Sequence, residues 1–101
     1  MDILYKKIQQ MRQRPGMYIG KKSLLLLHAY LNGYIAYHNE INKEPNCFFL
    51  AEFQEYIQRR FNLYTTHSWA DIIISFSLND EEAFDRFYQL LDDFSLKVQS
   101  Y

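Results

Sequence analysis

Apolar residues recur along this chain mostly at three- and four-residue intervals, the spacing of one face of an α-helix. Residues 2–13 predict a short helix with Ile3, Leu4, Ile8 and Met11 near one face. Arg14-Pro15-Gly16 ends it, because proline drives the preceding residue out of the helical region and Pro-Gly is a turn signal. Ser23 is placed as the N-cap of a second helix, from about Leu24 to Asn39. Leu24, Leu27, Leu31, Tyr34, Ile35 and His38 follow the helical template there, and Tyr30, Tyr34, Tyr37 and Ile41 add an adjoining stripe. An apolar arc that wide predicts the central helix of the fold. Gly33 lies inside it at a helix cost of about 1 kcal/mol relative to Ala, which a close crossing by another helix would explain.

Asn42-Lys43-Glu44-Pro45-Asn46 reads as a loop, and Phe49, Phe53, Tyr56, Ile57 and Phe61 mark a third helix over about 47–62. Residues 69–78 fit two periods. Ile72, Ile74, Phe76 and Leu78 alternate like a strand, whereas Trp69, Ile72, Ile73 and Phe76 fit a helix. Helix is favoured, because a lone strand needs a partner that no other segment offers, and Ser68 with Asp71 forms a variant capping box. The last helix is the clearest. Asn79 caps it, Glu82 completes a capping box, and Asp80 and Glu81 suit the positive end of the helix dipole. Ala83, Phe84, Phe87, Leu90, Leu91 and Phe94 form its inner face. The expected architecture is an all-α bundle of about five helices, one domain over residues 1–101. A chain this long buries roughly 65% of its unfolded surface and can hold a core without metal or disulfides.

Composition narrows the function classes. One cysteine, Cys47, allows neither an intramolecular disulfide framework nor a Cys-based zinc site, fits a reducing compartment, and beside Phe48 and Phe49 reads as a small core residue. No apolar run approaches membrane-spanning length, and Met1-Asp2-Ile3-Leu4-Tyr5-Lys6-Lys7 has no secretory-signal pattern, so a cytoplasmic protein without membrane contact is expected. The net charge of −1 hides an asymmetry. Residues 1–22 carry six cations against Asp2, a balance of +5; residues 67–101 carry seven acids against Arg86 and Lys97, a balance of −5. Such polarity bears on partners and on attraction between the two ends of the chain.

No recognisable catalytic or metal-binding spacing is present. His28, His38 and His67 are not placed to share a metal, and no nucleophile–base pair is suggested, so no cofactor, no metal and no enzymatic activity are expected. On the last helix, Glu81, Asp85, Tyr88 and Asp92 cluster within about 60° by helical-wheel arithmetic. They make an acidic row with an aromatic anchor, widened by Glu82 and Asp93. The plainer account of the same row is a solvated helix face.

Arg14-Pro15-Gly16-Met17-Tyr18-Ile19-Gly20 resembles the segment that opens the ATPase domain of type II topoisomerases such as DNA gyrase. Anchored on Leu27-His28, however, the places of that family's catalytic glutamate and metal-holding asparagine fall near Gly33 and Tyr37, and its glycine-rich lid is absent. Turn chemistry accounts for the segment instead. Met17 and Ile19 are placed in the core, Tyr18 against the central helix, and Arg14 beside an acid such as Asp71.

The same string also opens a longer order of motifs. The leucine-rich helix with Gly33-Tyr34 follows it, then Phe49 to Phe61, then His67-Ser68-Trp69-Ala70-Asp71-Ile72-Ile73, then Glu82 to Phe94. Over about residues 3–96 this order resembles the small immunity proteins of bacterial contact-dependent growth inhibition and polymorphic toxin systems. The resemblance implies an antitoxin that binds and blocks one cognate toxin C-terminal domain, a nuclease acting on RNA or tRNA. Arg14, Pro15, Gly16, Tyr18, Gly20 and Trp69 are expected as a structural motif, and the acidic row, the electrostatic complement of a cationic nuclease, as the partner-binding surface, without direct nucleic-acid binding. The alternative is a nucleic-acid or regulatory binding module using the basic N-terminal helix, with Lys6, Lys7, Arg12 and Arg14.

Overall fold

Four of the six described helices begin where a short polar side chain accepts a backbone N–H that the helix leaves unpaired; the helices that follow Arg14 and Phe49 have no such cap. In the computed structural model, which describes residues 2–42 and 48–99, Asp2 caps α1 (Ile3–Gln13) by accepting from the Tyr5 N–H at 3.0 Å. Pro15 then occupies the first position of a one-turn helix, α2 (Pro15–Ile19), where its fixed φ fits and its missing N–H costs nothing. Gly20 closes α2 at φ 88°, a left-handed conformation that glycine adopts freely. Ser23 accepts from the Leu26 N–H at 3.1 Å and opens α3 (Leu24–Asn42). After α4 (Leu50–Arg60), Asn62 takes φ 54° while the Leu63 N–H reaches back to the Gln58 carbonyl and the Asn62 N–H to Arg59, a Schellman closure. Ser68 caps α5 (Trp69–Ser75) through the Asp71 N–H at 3.1 Å. Asn79 caps α6 (Asp80–Gln99) through the Glu82 N–H at 2.8 Å, and the Glu82 carboxylate returns to the Leu78 N–H.

Six helices and no strand are present among the described residues, so the fold is all-α and the segment 69–78 is helical in its first part. The expected turn at Pro15-Gly16 is the additional helix. Cys47 and most of the expected loop, residues 43–46, lie outside the described residues; Asn42 belongs to α3. No helix among the described residues is long and apolar enough to cross a membrane.

The central helix is α6, not α3. Ala83, Phe84, Phe87, Tyr88, Leu90, Leu91 and Phe94 are buried; α3, α4 and α5 pack against α6, and α1 joins it through Tyr88 and Asp92. Phe53 of α4 meets Trp69, Phe87 and Phe94 edge-on at 5.4–5.7 Å, the preferred aromatic geometry. On α3 only Leu24, Leu27 and Leu31 are buried, all in its first eight residues. Tyr, His and Asn carry polar tips, so the wide arc they form with the leucines does not oblige the core to enclose α3. Among the described residues no helix crosses at Gly33, where an added Cβ would meet nothing within 4 Å.

Candidate partner-binding surface

The outward side of α6 carries every acid of the expected row, but the structure treats them differently. Glu81 and Asp93 are exposed. Glu82 is half-buried by its cap to Leu78. Asp92 is taken by α1, whose Arg12 guanidinium donates to both carboxylate oxygens at 2.9 and 2.8 Å. Lys22 Nζ lies 2.7 Å from Asp85. The basic and acidic ends of the chain therefore neutralise one another along this seam, and the hydrogen bond from Arg12 to Asp92 holds the guanidinium more firmly protonated than usual.

Tyr88 is not a surface anchor. It is only 3% exposed, its ring lies under the Arg12 guanidinium at 5.0 Å, and its hydroxyl donates to the Ile8 carbonyl at 2.7 Å. Burial pushes the phenol well above its ordinary range, partly offset by Arg12. The helical wheel places Tyr88 at the border between the two faces of α6, and α1 covers that border.

Asp80 is the polar residue that sequence reasoning credited only with a dipole role. Its carboxylate receives the Ser23 hydroxyl and the Leu25 N–H, the latter at 3.0 Å, so one acid serves the N-termini of both α3 and α6. Ser23 is 1% exposed, which makes this bond part of the interior.

The Arg14–Gly20 segment is local scaffold, with two corrections. Met17 is 73% exposed rather than in the core, because α2 is a helix and turns that side chain to solvent. Arg14 is exposed and does not pair with Asp71. Tyr18 is half-buried, with Lys7 Nζ 5.2 Å from its ring centroid, and Ile19 is half-buried against the core. Trp69 is buried, its ring 5.2 Å from that of His28 and 5.0 Å from that of Phe87, while its backbone N–H donates to Gln54 Oε1 at 2.6 Å. Burial lowers the His28 pKa, opposed by Asp71. His38 packs against Phe48 at 4.8 Å, and His67 is exposed.

An open cleft of about 490 Å³ runs between α4 and α6, floored by Tyr56 and Phe94 and edged by Glu52, Glu55, Arg59 and Arg60. Burial raises the Tyr56 phenol pKa. The rim mixes both signs, with Lys97 beside Tyr56 as a third cation against the two glutamates. Among the described residues no three His, Cys, Asp or Glu side chains converge as metal ligands would. In comparisons with known proteins, no family model, no curated protein and no solved structure matches this chain.

Proposed function

We propose that this chain is an antitoxin, an immunity protein that binds and blocks the C-terminal toxin domain of a bacterial contact-dependent growth inhibition or polymorphic toxin system. The observation that carries the reading is the solvent face of α6. Glu81 and Asp93 stand exposed on one helix on which Arg86 is the sole cation between positions 80 and 96, flanked by Asp85 and Asp92, which are shared with Lys22 and Arg12, and by the capping Glu82. A nuclease needs a cationic cleft to hold phosphates, and an acidic helix face is its electrostatic complement, speeding encounter and excluding wrong partners. The motif order from Arg14-Pro15-Gly16 to Phe94 supports the same reading. The protein acts by occupying a surface, in the cytoplasm where such a toxin finds RNA, and performs no chemistry of its own.

The alternative, a nucleic-acid module built on the N-terminal helix, has fewer cations at its disposal than the sequence offers. Arg12 and Lys22 are engaged with Asp92 and Asp85, and Lys7 lies over Tyr18. Antitoxin activity is tested with the toxin domain encoded by the gene immediately upstream. Coexpression should give a stable complex and protect cells. Glu81→Lys with Asp93→Lys, which touches neither ion pair, should weaken binding ~30-fold to several thousandfold. Absence of a complex with that domain, together with tight salt-sensitive binding of RNA by the isolated chain, would establish the alternative.

A further inference from the structure

We propose that Leu78, flanked by Phe76 in the turn between α5 and α6, is the apolar anchor that this chain inserts into the toxin domain. The inference rests on the antitoxin reading and supplies the apolar contact that buried Tyr88 does not. Leu78 immediately precedes the Asn79 cap of α6, a position whose apolar side chain ordinarily packs back on the fourth helical residue, here Ala83. Ala83 is fully buried, yet Leu78 is 88% exposed, more than any other large apolar side chain among the described residues. Phe76 is 49% exposed and stacks on Phe61 at 4.9 Å. Side chains hold the turn in place. Arg86 donates to the Phe76 carbonyl at 2.6 Å, the Ser77 hydroxyl donates to the Ile73 carbonyl at 2.7 Å, and the Leu78 N–H donates to Glu82 at 3.3 Å. A partner that takes up Leu78 therefore has little backbone to order.

Charge selects the occupant. Asp80, Glu81, Glu82 and Asp85 follow the two apolar side chains, and residues 76–85 contain no Lys or Arg. Asp80 and Glu82 accept from neutral O–H and N–H groups and keep their charge, whereas Lys22 offsets Asp85. With Lys22 and Arg86 counted against the four acids, the collar around Leu78 keeps a balance of −2. A two-fold pairing of this chain would lay that collar on its like, and a phosphate backbone or an anionic lipid surface meets the same repulsion. A cationic protein surface with an apolar socket is attracted by the collar and gains by burying the leucine.

Binding kinetics with the toxin domain encoded upstream separate this anchor from the acids of α6. Leu78→Ser should leave the thermal midpoint unchanged, because the side chain it removes lies almost wholly in water. It should weaken binding about 10- to 100-fold through faster dissociation, by the same factor at low and high salt, since apolar burial is not screened. Glu81→Lys should instead slow association, and only at low salt. Tyr37→Ser, which alters a side chain 65% exposed on α3, should bind as wild type does. A Leu78→Ser chain that dissociates at the wild-type rate overturns the anchor and leaves the antitoxin reading standing. A wild-type chain that forms no complex with that domain overturns both.

Discussion

Asp80→Ala should destabilise the protein far more than a half-exposed helix-start residue ordinarily does. Its carboxylate is the acceptor for the Leu25 N–H, one of the four amides that α3 cannot pair internally, and for the hydroxyl of buried Ser23. Losing a helix cap costs about 1 kcal/mol, and a buried hydroxyl left without an acceptor costs about 1–3 kcal/mol. Removing a negative charge from the positive ends of two helices adds about 0.3–1 kcal/mol for each. These contributions overlap, so the expected loss is about 2–3 kcal/mol rather than their sum. In thermal melts a domain of this size loses roughly 4–8 °C per kcal/mol, so the midpoint should fall by about 10–20 °C. Asp80→Asn keeps an oxygen for Leu25 and gives up the charge; it should cost about half as much. Urea unfolding of the three proteins, with the slope unchanged, measures these differences directly. If Asp80→Ala unfolds within about 0.5 kcal/mol of wild type, the shared cap has no energetic role and the reasoning is refuted.

Tyr88→Phe should cost about 0.5–1.5 kcal/mol, the net value of one buried hydrogen bond, here to the Ile8 carbonyl. The folded phenol ionises at higher pH than the unfolded one, so its stabilising effect is complete below about pH 10 and is lost as pH rises beyond; the alkaline decline should therefore be shallower in Tyr88→Phe. His28 has the opposite sign: its folded pKa is depressed, so its contribution is complete above about pH 6.5 and disappears as pH falls below, which His28→Gln should blunt in acid melts. Asp85→Lys with Asp92→Lys should cost about 1–2 kcal/mol at low salt and less in 1 M NaCl, because the new cations face Lys22 and Arg12; a variant as stable as wild type at low salt would show that neither ion pair contributes.

What the sequence made legible was whatever depends on neighbours along the chain. For α6 the Asn79 cap, the Glu82 box and the Phe84–Phe94 stripe agree, and the helix forms where they place it. At residues 69–78 the two periods tie, and the Ser68 cap decides between them correctly because it is itself a local interaction. What failed depends on which element lies across the fold. The wheel gave the angle of Tyr88 correctly, but only the docking of α1, eighty positions away, says that the angle is covered. A wide apolar arc made α3 look central, yet its tyrosines, histidines and asparagines are tolerated in water, and among the described residues only Leu24, Leu27 and Leu31 of it are buried. The +5 and −5 ends were visible as totals; that Arg12 would take Asp92, and Lys22 Asp85, was not.

That pairing sets a trade between folding and recognition which one substitution can expose. In the folded chain Asp92 presents little net field to an approaching cationic partner, because Arg12 covers it bidentately while also lying over Tyr88. Arg12→Met keeps an unbranched side chain able to pack on the Tyr88 ring and removes the positive charge. Stability should fall by about 1 kcal/mol, combining a part-exposed ion pair with a cation–π contact. Freed of its partner, Asp92 joins Glu81 and Asp93 in the outward field of α6. Association with a cationic toxin domain should then be faster, by a few-fold at low ionic strength, and the difference should vanish as the screening length drops to about 3 Å in 1 M salt. Stopped-flow mixing at several salt concentrations reads both effects. A rate identical to wild type at low salt would mean that the partner approaches a part of the molecule remote from Asp92, and the α6 face would lose its claim to be the recognition surface.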